Sequence, residues 1–140
     1  MSKTYYLAYG SNLNLRQMRY RCPQAKPVGS VILDGYELQF RTFLTIIEKP
    51  DGKVPIGIWE INPEDERRLD RYEGYPTFYR KEYLEITIDG KKEKALIYIM
   101  NDVRDVAPPD GVYMNTCIEG YKDFEFDISF LTDAFVKSMS

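Results

Sequence analysis

The sequence predicts an α+β domain built on a mostly antiparallel sheet or barrel. Three observations carry that expectation. Strand patterns fill the greater part of the chain, and helical patterns close it. Asp-Gly pairs punctuate the strands as hairpin turns do. The length of 140 residues suits one domain, 1–140, around a single core, with no repeat, linker or low-complexity segment.

Each element follows from a local signal. Thr4 to Tyr9, "TYYLAY", is rich in aromatics and reads as a strand. Leu13 to Arg21 reads as a short helix with Leu15, Met18 and Cys22 inward, Asn12 or Asn14 as cap and a stop near Pro23. Val31 to Leu33 and Tyr36 to Phe40 flank Asp34-Gly35, a two-residue hairpin signal. "EKPDGKVP" reads as another turn, before a strand over Ile56 to Ile61. Asn62 then caps a helix that has Pro63 at its first position and Glu64, Asp65 and Glu66 in its first turn. Leu69 and Tyr72 give that helix an inward face, and Gly74 ends it in a left-handed conformation. "FYRKEYLEITI" and "KALIYIM" are strands joined at Asp89-Gly90. "NDVRDVAPPDG" is an irregular connection. Two helices follow: one runs through Tyr113, Cys117 and Ile118, and one is capped by Asp127 with Phe130, Leu131 and Phe135 on its apolar face.

Composition narrows the function. A net charge of −3 offers no basic field for a nucleic-acid backbone, so no nucleic acid is expected as partner. No signal peptide or membrane span is legible, which predicts a cytoplasmic protein with no membrane partner. The two cysteines, Cys22 and Cys117, read as free core residues. Histidine is absent, which removes His triads and His metal sites, and two cysteines cannot complete a structural zinc site. No metal site of either kind is expected. Acid–base work must fall to Asp, Glu, Lys, Tyr or Cys.

Two places break or strain a local rule. Glu73 puts a carboxylate in the last turn of a helix, where exposed carbonyls favour a cation. Those carbonyls raise its pKa by less than a unit, about 0.3–1 kcal/mol, and burial among Tyr72, Tyr75 or Tyr79 would add more. A carboxylate tuned upward suits proton transfer; a solvated surface residue is the plain alternative. The second place is "YGSN". A strand ends at a glycine and a helix begins, so backbone N–H groups of the junction can seat a small carboxylate or carbonyl oxygen. The loop has one glycine and no lysine, so it lacks a phosphate cradle. A simple turn with a helix cap accounts for the same residues. Most of the twelve tyrosines read as amphipathic core or interface residues, and that aromatic content is compatible with a homodimer.

Taken together, "YGSNL" (Tyr9 to Leu13) and "YEG" (Tyr72 to Gly74) resemble the γ-glutamylcyclotransferase-like family. "MRYRCP", "LDGYELQF", "GIWEI", "LDRYEGYP" and "APPDGVYMNTCIEG" agree in order and spacing, so the resemblance runs from Tyr5 to Gly120. The sequence departs from the family after Gly120, where Tyr121 stands in place of the usual alanine. The resemblance implies a small mixed β-barrel with flanking helices and a helix ending at the late glycine. It also implies cyclisation of a small-molecule γ-glutamyl substrate to 5-oxoproline with release of an amine, a reaction that needs no metal or cofactor. It makes Glu73 the base and then the acid. Gly10, Ser11, Asn12 and Leu13 would hold the α-carboxylate or oxyanion through backbone N–H groups, and Tyr9 would shape the pocket floor. Tyr113 would be a wall or hydrogen-bond donor, and Tyr79 a further candidate of that type. Relatives with the same chemistry and other leaving groups, or a small-ligand binder on the same fold, are the alternative implications.

Overall fold

The computed structural model describes residues 3–140. Among the described residues five strands form one sheet: β1 (Thr4–Ala8), β2 (Lys26–Arg41), β3 (Phe43–Ile61), β4 (Tyr79–Ile88) and β5 (Lys91–Met100). Their order across the sheet is β2-β3-β1-β5-β4. β1 pairs parallel with β5, and the other neighbours are antiparallel. The α+β class holds, but the sheet is open. A barrel needs its edge strands to pair, and here β2 and β4 remain edges. The C-terminal helix α4 (Ser129–Ser138) packs against β2 instead, with Leu131 and Ala134 buried and Lys137 paired to Glu37. The cap position of α4 is Ile128 rather than the expected Asp127, whose Oδ1 accepts the Ser129 N–H at 2.9 Å from one residue further out.

The strands joined at Asp89-Gly90 form as expected, with both turn residues at positive φ. The Asp34-Gly35 hairpin does not form. β2 runs straight through that pair, and the ladder passes from Asp34↔Lys53 to Tyr36↔Glu48. Gly35 therefore faces the looped-out Lys49–Gly52 stretch, so "EKPDGKVP" is a bulge inside β3 rather than a turn between strands. The hairpin closes at Thr42 (φ 69°), whose N–H donates to Ala107 O at 2.9 Å. Long-range pairing over both flanks outweighs the local turn preference of Asp-Gly.

The helix α2 (Pro63–Glu73) has the expected bounds. Asn62 Oδ1 accepts from Asp65 N at 2.7 Å, and Asp65 Oδ2 accepts from Asn62 N at 3.2 Å, a reciprocal capping box. Gly74 ends the helix at φ 66°. Leu69 is buried as expected, but Tyr72 is exposed and turns to the rim of the cavity described below. Asn62→Ala should cost roughly 0.5–2 kcal/mol. That corresponds to a melting midpoint lower by about 2–4 °C per kcal/mol, read by calorimetry, with Asn62→Asp close to wild type.

The first helix, α1 (Leu15–Arg21), is capped by Asn14 and follows a 3-10 turn over Ser11–Leu13. Helix α3 (Gly111–Asp123) does not stop at Gly120. A Cβ at Gly120 would lie 2.7 Å from Asn14 N and 2.8 Å from Leu13 C. This glycine therefore serves a close helix–loop approach instead of a helix end. Cys22 and Cys117 are free and buried, and burial pushes their thiols up to about 11 and about 12.

Candidate active site

β1 is a central strand, so its C-terminal end delivers the Tyr9–Leu13 loop into the interior. Ser11, Asn12 and Asn14 are all buried. Buried polar groups are costly unless bonded, and each of these is fastened to a different element. Ser11 Oγ lies 3.0 Å from Tyr72 Oη of α2. Asn12 O accepts from Trp59 Nε1 of β3 at 3.0 Å, and Asn14 Nδ2 donates to Thr116 O of α3 at 3.1 Å. Tyr121 Oη donates to Tyr9 O at 2.9 Å. The tyrosine that departs from the family pattern thus braces the loop from the core.

The turn's own bonds consume the Leu13 and Asn14 N–H groups, which donate to Gly10 O (3.0 Å) and Ser11 O (3.1 Å). The N–H groups of Gly10, Ser11 and Asn12 have no partner within the turn, as expected at the start of a helical turn.

Glu73 ends α2 and faces this loop across a cavity of about 390 Å³. Asn12 Nδ2 is 3.4 Å from Glu73 Oε2 and donates to Tyr6 Oη at 2.8 Å. Arg21 donates to Asn12 Oδ1 from the other side, which turns the amide's N–H₂ towards the carboxyl. Arg21 also lies on the Tyr72 ring, with Cζ 3.5 Å from the centroid. Burial pushes the Glu73 carboxyl up to about 8, and the Arg21 charge moderates that rise. The surface Glu73 retains opens into the cavity. Burial is the main cause of the shift, ahead of any helix-end effect.

Six of the seven residues expected around Glu73 line the cavity with it: Tyr9, Gly10, Ser11, Asn12, Tyr79 and Tyr113. Leu13 does not. It is fully buried in the core, and its N–H is taken by Gly10. The tyrosines divide by where their protons go. Tyr9 Oη donates to Tyr98 O (2.6 Å), Tyr79 Oη to Leu44 O (2.7 Å) and Tyr98 Oη to Asp70 Oδ1 (2.6 Å). Tyr113 Oη instead accepts from Leu44 N at 3.1 Å, and Tyr6 Oη accepts from Asn12. Tyr6 Oη thereby keeps a proton to offer to the cavity, while the Tyr113 hydroxyl also lies within reach of the Cys117 thiol. Burial raises the pKa of Tyr6, Tyr9, Tyr79, Tyr98 and Tyr113, so all five stay neutral at physiological pH.

The sequence reading missed Tyr6, Phe43, Phe78 and Arg104, all of which line the cavity. Tyr6 has a signal in retrospect: strand alternation puts it on the same face as Ala8, beside the loop. Phe43, Phe78 and Arg104 come from three segments that meet only in the folded chain.

Residues 6–115 match the family model described as gamma-glutamyl cyclotransferase, AIG2-like. The gamma-glutamylcyclotransferases of Bos taurus and Mus musculus are each 27% identical to the chain over 132 residues, spanning 84% of it and 70% of their own length. The solved structure of a gamma-glutamyl cyclotransferase superposes with a TM-score of 0.82 at 23% identity, covering 95% of this chain and 86% of that one. The uncharacterized protein loc79017 from Homo sapiens gives a TM-score of 0.80 at 24% identity, covering 96% and 87%.

Proposed function

Because the chain belongs to the gamma-glutamyl cyclotransferase, AIG2-like family, we propose that it cyclises a γ-glutamyl compound to 5-oxoproline, with Glu73 as the proton carrier. The observation that carries this reading is the Glu73 carboxyl facing the Tyr9–Asn12 loop across one cavity.

The substrate's α-carboxylate sits against the N–H groups of Gly10, Ser11 and Asn12. Its α-ammonium then lies by Glu73, which takes the proton. The freed amine attacks the substrate's own γ-carbonyl carbon. The new N–C bond closes a five-membered ring, and the scissile C–N bond breaks. Glu73 returns that proton to the departing nitrogen, and the ring nitrogen's surplus proton passes through the same carboxylate to the released amine, which leaves as an ammonium, so atoms and charge balance without an external nucleophile. Tyr113 and Tyr6 offer hydroxyl protons to the oxyanion. Holding amine and carbonyl in contact can supply up to about 7–11 kcal/mol of the barrier. A base near 8 is well matched to an α-amino group, whose ordinary value is about 8.

The pH dependence follows. Glu73 must be ionised to accept the proton, so kcat/KM rises with pH below about 8. Loss of the substrate's α-ammonium proton turns the profile down above that. Release of 5-oxoproline from γ-glutamyl dipeptides, followed by mass spectrometry, should fall roughly tenfold from pH 7 to pH 6. A flat profile over that interval would contradict the assignment of Glu73, and no 5-oxoproline from any γ-glutamyl compound would contradict the activity.

A further inference from the structure

The Tyr9–Leu13 loop is steered by a side chain that stays outside the cavity. Arg21 stands in the last turn of α1 and is not part of the cavity lining. A cation in a last helical turn is ordinary, but the surroundings of this one are not. Among the described residues, ion pairs engage Arg16, Arg41, Arg68 and Arg80, and Arg21 is in none of them. Its guanidinium is held by neutral groups instead. Nη2 donates to Gln17 Oε1 at 3.2 Å, Nη1 donates to Asn12 Oδ1, and Cζ lies 3.5 Å from the centroid of the Tyr72 ring. Tyr72 Oη in turn lies 3.0 Å from Ser11 Oγ, so one side chain ties α1 and α2 to the loop.

The contact with Asn12 has a direction. A guanidinium only donates, so the amide oxygen must face it and the N–H₂ must face away. The Asn12 Nδ2 then donates to Tyr6 Oη at 2.8 Å and lies 3.4 Å from Glu73 Oε2. Among the described residues the Tyr6 hydroxyl bonds nothing else, and it lines the cavity. Because it accepts from Asn12, its single proton is left for the cavity. Turning the amide over reverses each step. Oδ1 would face Tyr6 and take that proton, and it would set a second acceptor against the Glu73 carboxylate. The two ends of an amide are nearly equal in size, so packing does not choose between the settings. The donor behind Asn12 does.

We propose that Arg21 is a positioning residue: it sets the direction of the chain Arg21–Asn12–Tyr6, and that direction makes Tyr6 a proton donor to the reacting carbonyl. This rests on the cyclisation proposed above. The same charge also moderates the rise of Glu73. The other titratable groups that share the cavity with Glu73 are the neutral tyrosines described above, and Arg71 and Arg104 at its mouth. Of the charges around Glu73, that of Arg21 is the one that acts on it appreciably.

The test is a double-substitution cycle read by 5-oxoproline release from γ-glutamyl-alanine, with kcat taken per folded molecule as counted by calorimetry. Tyr6→Phe should lower kcat by about 100-fold, the usual loss for one oxyanion donor. Arg21→Met keeps the apolar stem and removes the donor. It should lower kcat by roughly tenfold or more, with KM within about threefold of wild type. In the Tyr6→Phe background the same change should cost no more than about threefold, the part that acts through Glu73. Equal losses in both backgrounds would overturn the inference, because a residue that merely holds the fold acts whether or not Tyr6 has a hydroxyl. The Asn12 side-chain amide gives a readout independent of turnover, followed by NMR in isotope-labelled protein. Its N–H₂ resonances should move as pH passes through about 8 in wild type and stay fixed in Glu73→Gln. They should lose that movement in Arg21→Met, where the amide is free to turn. Resonances that titrate unchanged in Arg21→Met would overturn the inference too. An amide that behaves as expected, in a protein that yields no 5-oxoproline from any γ-glutamyl compound, would remove the cyclisation and leave the direction of the chain standing.

Discussion

Glu73→Gln should abolish turnover and, above pH 8, make the protein harder to unfold. The amide keeps the shape of the side chain but can neither accept the ammonium proton nor return it. Loss of a general acid–base group costs about 100-fold or more, so 5-oxoproline release should fall at least that far. The stability gain comes from linkage. The carboxyl has an ordinary value of 4.5 and a folded value of about 8. Between those values the folded protein holds a proton that the unfolded chain has lost, so stability declines as pH rises through the interval and stays low above it. Glutamine lacks that penalty. After allowance for solvent in the cavity, the difference between variant and wild type should grow from near zero at pH 4.5 to about 1–2 kcal/mol above pH 8. Calorimetry at the two pH values reads it. A variant less stable than wild type at pH 9 would mean that the carboxylate is satisfied in the fold, and the case for a tuned base would fall.

Gly120→Ala should damage both folding and activity from outside the cavity. Helix propensity favours alanine over an interior glycine by about 1 kcal/mol. Packing opposes it, because the added methyl would sit 2.7–2.9 Å from Asn14 N, Leu13 C and Leu13 Cβ. Two of those atoms are backbone, so no rotamer change relieves the contact, and overpacking of this kind costs roughly 1–3 kcal/mol. The net effect is destabilisation, and relief comes by moving α3 away from the Ser11–Leu13 turn. That displaces the Ser11–Leu13 turn beside the cavity and loosens the Asn14–Thr116 bond. Misplacement by about 1 Å can cost 100-fold, so kcat/KM should drop tenfold or more while the Glu73-dependent pH profile keeps its midpoint. A variant more stable than wild type, with full activity, would show that helix and loop have slack.

The elements the sequence reads correctly are those governed by neighbouring residues. Asn62, Pro63, Asp65 and Gly74 specify α2 because caps and left-handed ends act within one turn of chain. Asp89-Gly90 makes its turn because both flanking strands stop there. Asp34-Gly35 carries the same signal and fails, because a long antiparallel ladder on either side absorbs it as a bulge. The hairpin closes at Thr42, a β-branched residue at positive φ that no local preference would select. That turn brings Phe43 and Leu44 to the cavity.

The candidate site divides along the same line. A carboxylate at a helix end and a glycine-serine loop after a strand are oddities of local chemistry that draw attention to Glu73 and Gly10–Asn12, and the family resemblance is what makes them site candidates without coordinates. Their distance, the burial that lifts Glu73 to about 8, the diversion of the Leu13 N–H and the Phe43–Phe78–Arg104 mouth are not local. They depend on which strand lies beside which, and on β1 entering the middle of the sheet so that its loop meets helices from distant parts of the chain. Residue type sets what a group can do. Dielectric surroundings and facing partners set what it does, and those exist only once the chain has packed.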